Sequence, residues 1–191
     1  MADEHVLFDV LLPEYQKFYS EKVTEVNPFG NVIYIRKGMS VVNSGTVLSD
    51  VEGAGFANYI IIKDDINDTE TVICNVHGIP YPGHKLDTPE RLEQSSVLIK
   101  KFESYRHVVI GGDFNLLPEA KSVKTFSSHG FNDLVKQYEI KTTRNNYAFD
   151  KYPGSHQYYA DYVFTSPAID VKRFSVPVDI VSDHQPLLVS I

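Results

Sequence analysis

Seven runs rich in β-branched and aromatic residues constrain this chain more than any other feature: NVIYIRK (31–37), GFANYIIIKD (55–64), TETVICNVHG (69–78), HVVIGGDFN (107–115), YYADYVFTS (158–166), VKRFSVPVD (171–179) and QPLLVSI (185–191). Each is bounded by polar or Gly/Pro residues, the pattern of strands separated by turns. Asp64-Asp65-Ile66-Asn67-Asp68 reads as the loop of a hairpin between two of them. Two helices interrupt the series. Thr88-Pro89-Glu90 supplies an N-cap, a proline at the first helical position and an early acid; Leu92, Ile99 and Phe102 then recur with helical spacing, alongside Val97 and Leu98. Pro118 is expected to open a second helix, which Gly130 is placed to end. A weaker helical stretch is expected over residues 4–20, broken near Pro13. Strands punctuated singly by helices predict two packed sheets with helices outside, a layered α/β sandwich, or else one mixed sheet.

At 191 residues, with no repeat or linker, the chain is expected to form a single domain. No apolar run approaches the ~20 residues needed to span a membrane. The opening MADEHVLFDVLLPEY is acidic where a signal peptide would be basic, and the single cysteine, Cys74, fits a reducing compartment, so a cytoplasmic location is expected. A net charge of −7 weighs against a loose grip on a polyanion. It does not weigh against a phosphorylated substrate, because a carboxylate site for a divalent cation is itself acidic until the ion arrives.

Three strands end in polar residues that a plain sheet does not need. In Cys74-Asn75-Val76-His77-Gly78, alternation places Asn75 and His77 on one face. In Gly111-Gly112-Asp113-Phe114-Asn115 the same logic puts Asp113 and Asn115 together, with Phe114 turned into packing. Taken alone, each could be a strand cap or a turn. Tyr159-Ala160-Asp161-Tyr162-Val163-Phe164 is different, since it buries an acid inside an apolar strand. A desolvated carboxylate must be partnered, and His184 of Ser182-Asp183-His184 is the natural candidate. Lys85, Arg91 and Arg144 lie near or between these segments. Lys85 and Arg91 read as solvated charges, whereas Arg144, in Lys141-Thr142-Thr143-Arg144-Asn145-Asn146, would suit a phosphate.

The ordered set of His77, GDxN at 112–115, Ala160-Asp161-Tyr162 and Ser182-Asp183-His184 resembles the endonuclease/exonuclease/phosphatase (DNase I-like) superfamily. The stretches Asn75–Gly78 and Asp87–Gln94 are similar to the NxHG and DTPxRxxQ of bacterial members. The resemblance implies a four-layer α/β sandwich of two packed mixed β-sheets flanked by helices. It implies hydrolysis of a phosphate ester with Mg²⁺ or Mn²⁺, by in-line attack of an activated water. The catalytic set it implies is His77, Asp113, Asn115, Asp161 and His184. Asp113 would orient or deprotonate the water and Asn115 hold water or phosphate in line. His184, supported by Asp161, would donate to a phosphate oxygen, and His77 would assist proton transfer. Asp183 would be a metal ligand and Asn75, holding the neighbouring loop, a substrate-binding residue; Arg144 is expected to bind substrate on its residue type alone. Compatible substrates are nucleic acid, nucleotide, phospholipid headgroup and inositol phosphate.

The resemblance runs from about Phe29 to Ile191. The family's opening strand, helix and second strand, which ends in the principal metal-binding glutamate, find no counterpart ahead of it. Glu4 lies upstream of Gly30 but ends no apolar strand. The domain is therefore expected to be incomplete at its N-terminus, and association with another chain would complete the sheets. Two rival readings follow. One is a catalytically impaired relative that binds a phosphorylated ligand or protein partner. The other is a structural α/β protein whose polar strand ends lie far apart.

Overall fold

In a computed structural model of the protein, the residues described are 10–19, 30–48, 55–151, 154, 157–180 and 182–191. Glu4, His5 and His156 lie outside them. In chain order the elements are β1 (Tyr15–Tyr19), β2 (Val32–Arg36), β3 (Ser40–Val47), β4 (Phe56–Asp64), β5 (Thr69–His77), α1 (Pro89–Phe102), β6 (His107–Asp113), α2 (Lys121–Ser128), β7 (Asn132–Asp133), α3 (Leu134–Gln137), α4 (Asn146–Lys151), β8 (Asp161–Thr165), β9 (Arg173–Ser175) and β10 (Leu188–Ser190).

Six strands form one mixed sheet in the order β3-β4-β5-β6-β8-β7. Its neighbours are antiparallel except β5 and β6, which run parallel with α1 as their crossover. One face carries Val72, Cys74, Val76, Val108 and Ile110, and these share a core with Leu98, Ile99 and Phe102 of α1 and Val123 and Phe126 of α2. Phe114 sits at the centre of that core, edge-on to Phe126, Tyr162 and Phe164. The β1–β2 ribbon is tied to the six-stranded sheet by side-chain amides. Asn58 Nδ2 donates to Phe18 O (2.9 Å), Asn75 Nδ2 to Val32 O (3.3 Å), and Asn31 Nδ2 to Phe56 O (3.2 Å) and Asn75 O (3.1 Å). A second antiparallel ribbon, β9–β10, presents Val189 towards Ile73, Val109 and Val163 across an open furrow. The layered sandwich is the arrangement observed, not a lone sheet.

Two local expectations need correcting, and one strand lies outside the sequence pattern. Residues 15–19 form a strand rather than the end of a helix: YQKFY is aromatic-rich, Pro13 bars a helix through it, and β2 pairs with it from Tyr15↔Arg36 to Tyr19↔Val32. Only Val10 and Leu11 are helical there. Strand β3 escapes the apolar pattern because its register slips between Val41 and Asn43, which breaks alternation and leaves Val42 exposed. Helix α2 starts at Lys121, not Pro118, because its cap comes from afar: Asp87 accepts from Lys121 N and Ser122 N, each at 2.8 Å. Its other end is as expected, with His129 at the C-cap and Gly130 at φ +87°.

The parallel β5–β6 pair positions the site, and it demands a glycine. Gly112 has φ +135°, and a Cβ there would stand 2.1 Å from Val76 O. Gly130 shares the left-handed backbone but has open space around it. Gly130→Ala is expected to cost about 1 kcal/mol and Gly112→Ala roughly 3 kcal/mol or more, because only the second adds a backbone clash to the strain. Urea denaturation of the two variants checks this; equal losses would contradict it.

Candidate active site

Strand register alone brings three of the expected residues into one row. His77 on β5 is paired with Asp113 on β6, and Asp113 with Asp161 on β8. Side chains at one level of neighbouring strands share a face, so all three point to the same side of the sheet edge.

Beyond Asp113 the chain turns sharply. Asp113 Oδ1 accepts from Asn115 N (2.8 Å), an Asx turn that places Asn115 at φ +54°. Asn115 Nδ2 then donates to Asp113 Oδ2 and Gly78 O, both at 3.2 Å, while Phe114 N is held by Ala160 O (2.8 Å). The turn formers of GGDFN thus fix Asp113 and Asn115 against each other, and Phe114 anchors them in the core. Asn115 Oδ1 accepts from Lys85 Nζ.

His184 Nδ1 lies 3.0 Å from both carboxylate oxygens of Asp161, so the ring proton at Nδ1 is donated there and Nε2 is turned outward. Nε2 stands 3.8 Å from Asp113 Oδ2. Burial opposes the charged ring, but the hydrogen bond and charge of Asp161, helped by Asp113, outweigh it and raise the His184 pKa above the ordinary histidine value. Burial likewise pushes the Asp161 carboxyl up, and His184 pulls against it.

The segment 142–145 is woven between the strands that carry this pair. Thr143 Oγ1 accepts from Ala160 N (3.1 Å) and Asp161 N (3.2 Å), and Thr143 O accepts from Gln185 N (2.9 Å). Arg144 bridges to His184 through the backbone and donates from Nη2 to Asp183 Oδ2 at 2.8 Å. Asn145 Nδ2 donates to Asp179 O (2.9 Å) and Ser182 O (2.8 Å), fixing the loop before His184.

A cleft of about 350 Å³ opens here, lined by His77, Lys85, Asp113, Asn115, Arg144, Asp183 and His184. Asp161 lies beneath His184 rather than on the wall. Asn75 does not line the cleft either; its amide is spent on β2.

For a metal, ligand atoms of Asp113, Asp161 and His184 lie within 4.8 Å of one another. The His184 ring is committed to Asp161 through Nδ1 and held towards its protonated form, which makes it a poor ligand. The carboxylates of Asp113 and Asp183 on the cleft wall are the donors that fit a hard divalent cation, which takes one or two carboxylates and fills its shell with water and phosphate oxygens.

This geometry has known counterparts. The sequence model of the Endonuclease/Exonuclease/phosphatase family matches residues 3–184. The chain belongs to that family. A mannosyl-6-phosphatase of Bacteroides thetaiotaomicron superposes with a TM-score of 0.76 at 21% identity, covering 97% of this chain and 79% of that one. An endonuclease/exonuclease/phosphatase of Bacteroides vulgatus gives 0.74 at 18% identity over 95% and 77%. D. rerio TDP2, complexed with single strand DNA product, gives 0.72 at 13% identity over 98% and 81%. No curated protein matched the chain. Family members hydrolyse phosphate esters and depend on divalent metals, and the sandwich expected from the motifs is the family fold.

Sequence reasoning missed Lys85 and Arg91, read as solvated but 8% and 0% exposed. Lys85 sits in a glycine- and proline-rich loop that gives no burial signal. Arg91 carried a signal, since it falls on the apolar side of α1 near Gln94, Ser95 and Leu98.

Because the folded-state pKa of His184 is raised, the pair stabilises fully below the ordinary histidine value and the gain is lost as pH rises through the raised one. Asp161→Asn removes the main lift on His184, while burial and the Arg144 charge, which lower its pKa, remain against the lesser lift from Asp113. An NMR titration of the His184 ring should show its midpoint fall from above the ordinary value to below it; an unmoved midpoint would refute the pairing.

Proposed function

We propose that this chain hydrolyses a phosphate ester by in-line attack of water with a divalent cation, Mg²⁺ or Mn²⁺. The observation that carries this reading is the His184–Asp161 pair standing across from the Asp113–Asn115 turn, 3.8 Å apart at their closest ion-pair atoms. Asp113 has one oxygen fixed by the Asn115 backbone and the other facing the cleft side, where it orients a water and takes its proton. His184, protonated and held by Asp161, presents Nε2 to a non-bridging oxygen and offsets the charge that builds there. Arg144 adds a guanidinium at the same wall, and Asn115 keeps nucleophile and phosphate in line. His77, level with Asp113 on the next strand, is placed to assist proton transfer at the rim. Asp183 would hold the cation, which would supply neutralisation of the phosphate charge.

The fold neighbours include a mannosyl-6-phosphatase and an enzyme solved with a DNA product, so monoesters and diesters both need testing. We expect hydrolysis of p-nitrophenyl phosphate or bis(p-nitrophenyl) phosphate that EDTA abolishes and Mg²⁺ restores. Asp113→Ala and His184→Ala, assayed at a temperature where both remain folded, should each lower kcat by about 10²-fold or more, and His184→Ala should also melt lower because Asp161 loses its partner. Equal rates in wild type and both variants would overturn the assignment, and a protein that binds phosphate without turnover would instead be the non-catalytic ligand binder.

A further inference from the structure

The loop between β5 and α1 is held with more bonds than a connection needs. Arg91, fully buried, donates from Nη2 to Ile79 O (3.0 Å) and Pro82 O (2.8 Å), and from Nη1 to Leu86 O (2.6 Å). One guanidinium thus gathers three carbonyls of one loop. From across the cleft, Gln157 Nε2 donates to Gly83 O (2.6 Å). Leu117 N is held by Lys85 O (2.8 Å), and Asp87 ties the loop's end to the first turn of α2. The residue this scaffold delivers is Lys85. Its backbone is left-handed, φ +57°, a conformation a lysine rarely adopts.

Three cations face the cleft, and they are not equivalent. Arg144 is paired with Asp183, and His184 with Asp161. Lys85 is 8% exposed and forms no ion pair among the described residues; its hydrogen bond is to the neutral amide oxygen of Asn115. A buried ammonium has three donors and needs an anion. We propose that Lys85 is a direct ligand of a non-bridging phosphate oxygen in this cleft and, through its remaining bond to Asn115, fixes the amide orientation that turns Nδ2 towards Asp113. The identity of the anion as phosphate rests on the phosphoesterase reading. The loop motif around Asp87, Thr88 and Arg91 is then explained as the support for this one side chain: Thr88 caps α1, Asp87 caps α2, and Arg91 locks the loop that precedes them.

The test uses inorganic phosphate and the whole chain in EDTA. In wild type, the Lys85 side-chain resonance in ¹⁵N NMR should shift saturably as phosphate is added, a readout that needs no variant to fold. By calorimetry, Lys85→Met should weaken phosphate binding about tenfold or more and Lys85→Arg should recover part of it. The Asn115 side-chain amide resonance should move in Lys85→Met before any phosphate is added. A Lys85 resonance indifferent to phosphate, or equal phosphate affinity in wild type and Lys85→Met, would overturn the proposal. Phosphate binding through Lys85 without hydrolysis would sink the phosphoesterase reading and leave this one standing. Hydrolysis with an indifferent Lys85 would do the reverse.

Discussion

The carboxylate of Asp161, buried at the first residue of a strand among Ala160, Tyr162 and Val163, is the constraint around which this site is built. An unpaired charge there would cost several kcal/mol. Meeting that cost draws in His184, more than twenty residues on, as an ionic hydrogen-bond partner. Holding His184 in place requires the segment 143–145, whose Thr143 caps the backbone of Asp161 and whose Asn145 fixes the loop before His184. Arg144 reaches the cleft because its two neighbours are committed to that task, and Asp183 is placed by pairing with it. Remove the buried carboxylate and each of these placements loses its reason.

The second constraint is the close approach of β5 and β6. Two parallel strands joined by a helix end at the same edge of the sheet, and ligand sites gather at such carboxyl ends. Here the edge is tightened by Gly112 against Val76 and by Gly78, whose N–H is held by Asp113 O at 2.6 Å. His77, Asp113 and Asp161 therefore share a row by hydrogen-bond register, not by side-chain adjustment. Side chains placed by strand register need little reorganisation when a substrate arrives.

What the sequence made legible follows from the range of the interactions. Strands β4, β5 and β6 and helix α1 were readable because alternation, a hairpin loop and a Thr-Pro cap are local signals. The Asp161–His184 pair was readable despite its separation, because an acid within an apolar strand demands a partner. The start of α2 was not, since Asp87 caps it across thirty-four residues. Nor was the burial of Lys85, which depends on Arg91 folding the loop back upon itself. Strand β3 was hidden by a bulge, and β1 by competition between a weak helical pattern and pairing with β2. Asn75 shows the limit of strand-face reasoning: it shares a face with His77 as expected, yet that face meets the β1–β2 ribbon one step before it meets the cleft.

Net charge misleads in the same way, because it averages over distance. The chain is acidic overall, at −7, which weighs against a loosely held polyanion. Within the cleft, Lys85, Arg144 and the raised His184 stand against Asp113, Asp183 and the underlying Asp161, so local charge is close to balance. Arg144 and His184 are tied to carboxylates, and Asp113 is tied to backbone and amide donors. On the proposed reading, a phosphate entering with a divalent cation would add opposite charges together, so the balance would be kept while each ion met donors of its own kind. An acidic surface disfavours casual anions, and on the proposed reading a cleft whose Arg144 and His184 are already paired, while Lys85 is not, would take the anion whose oxygens reach all three at once.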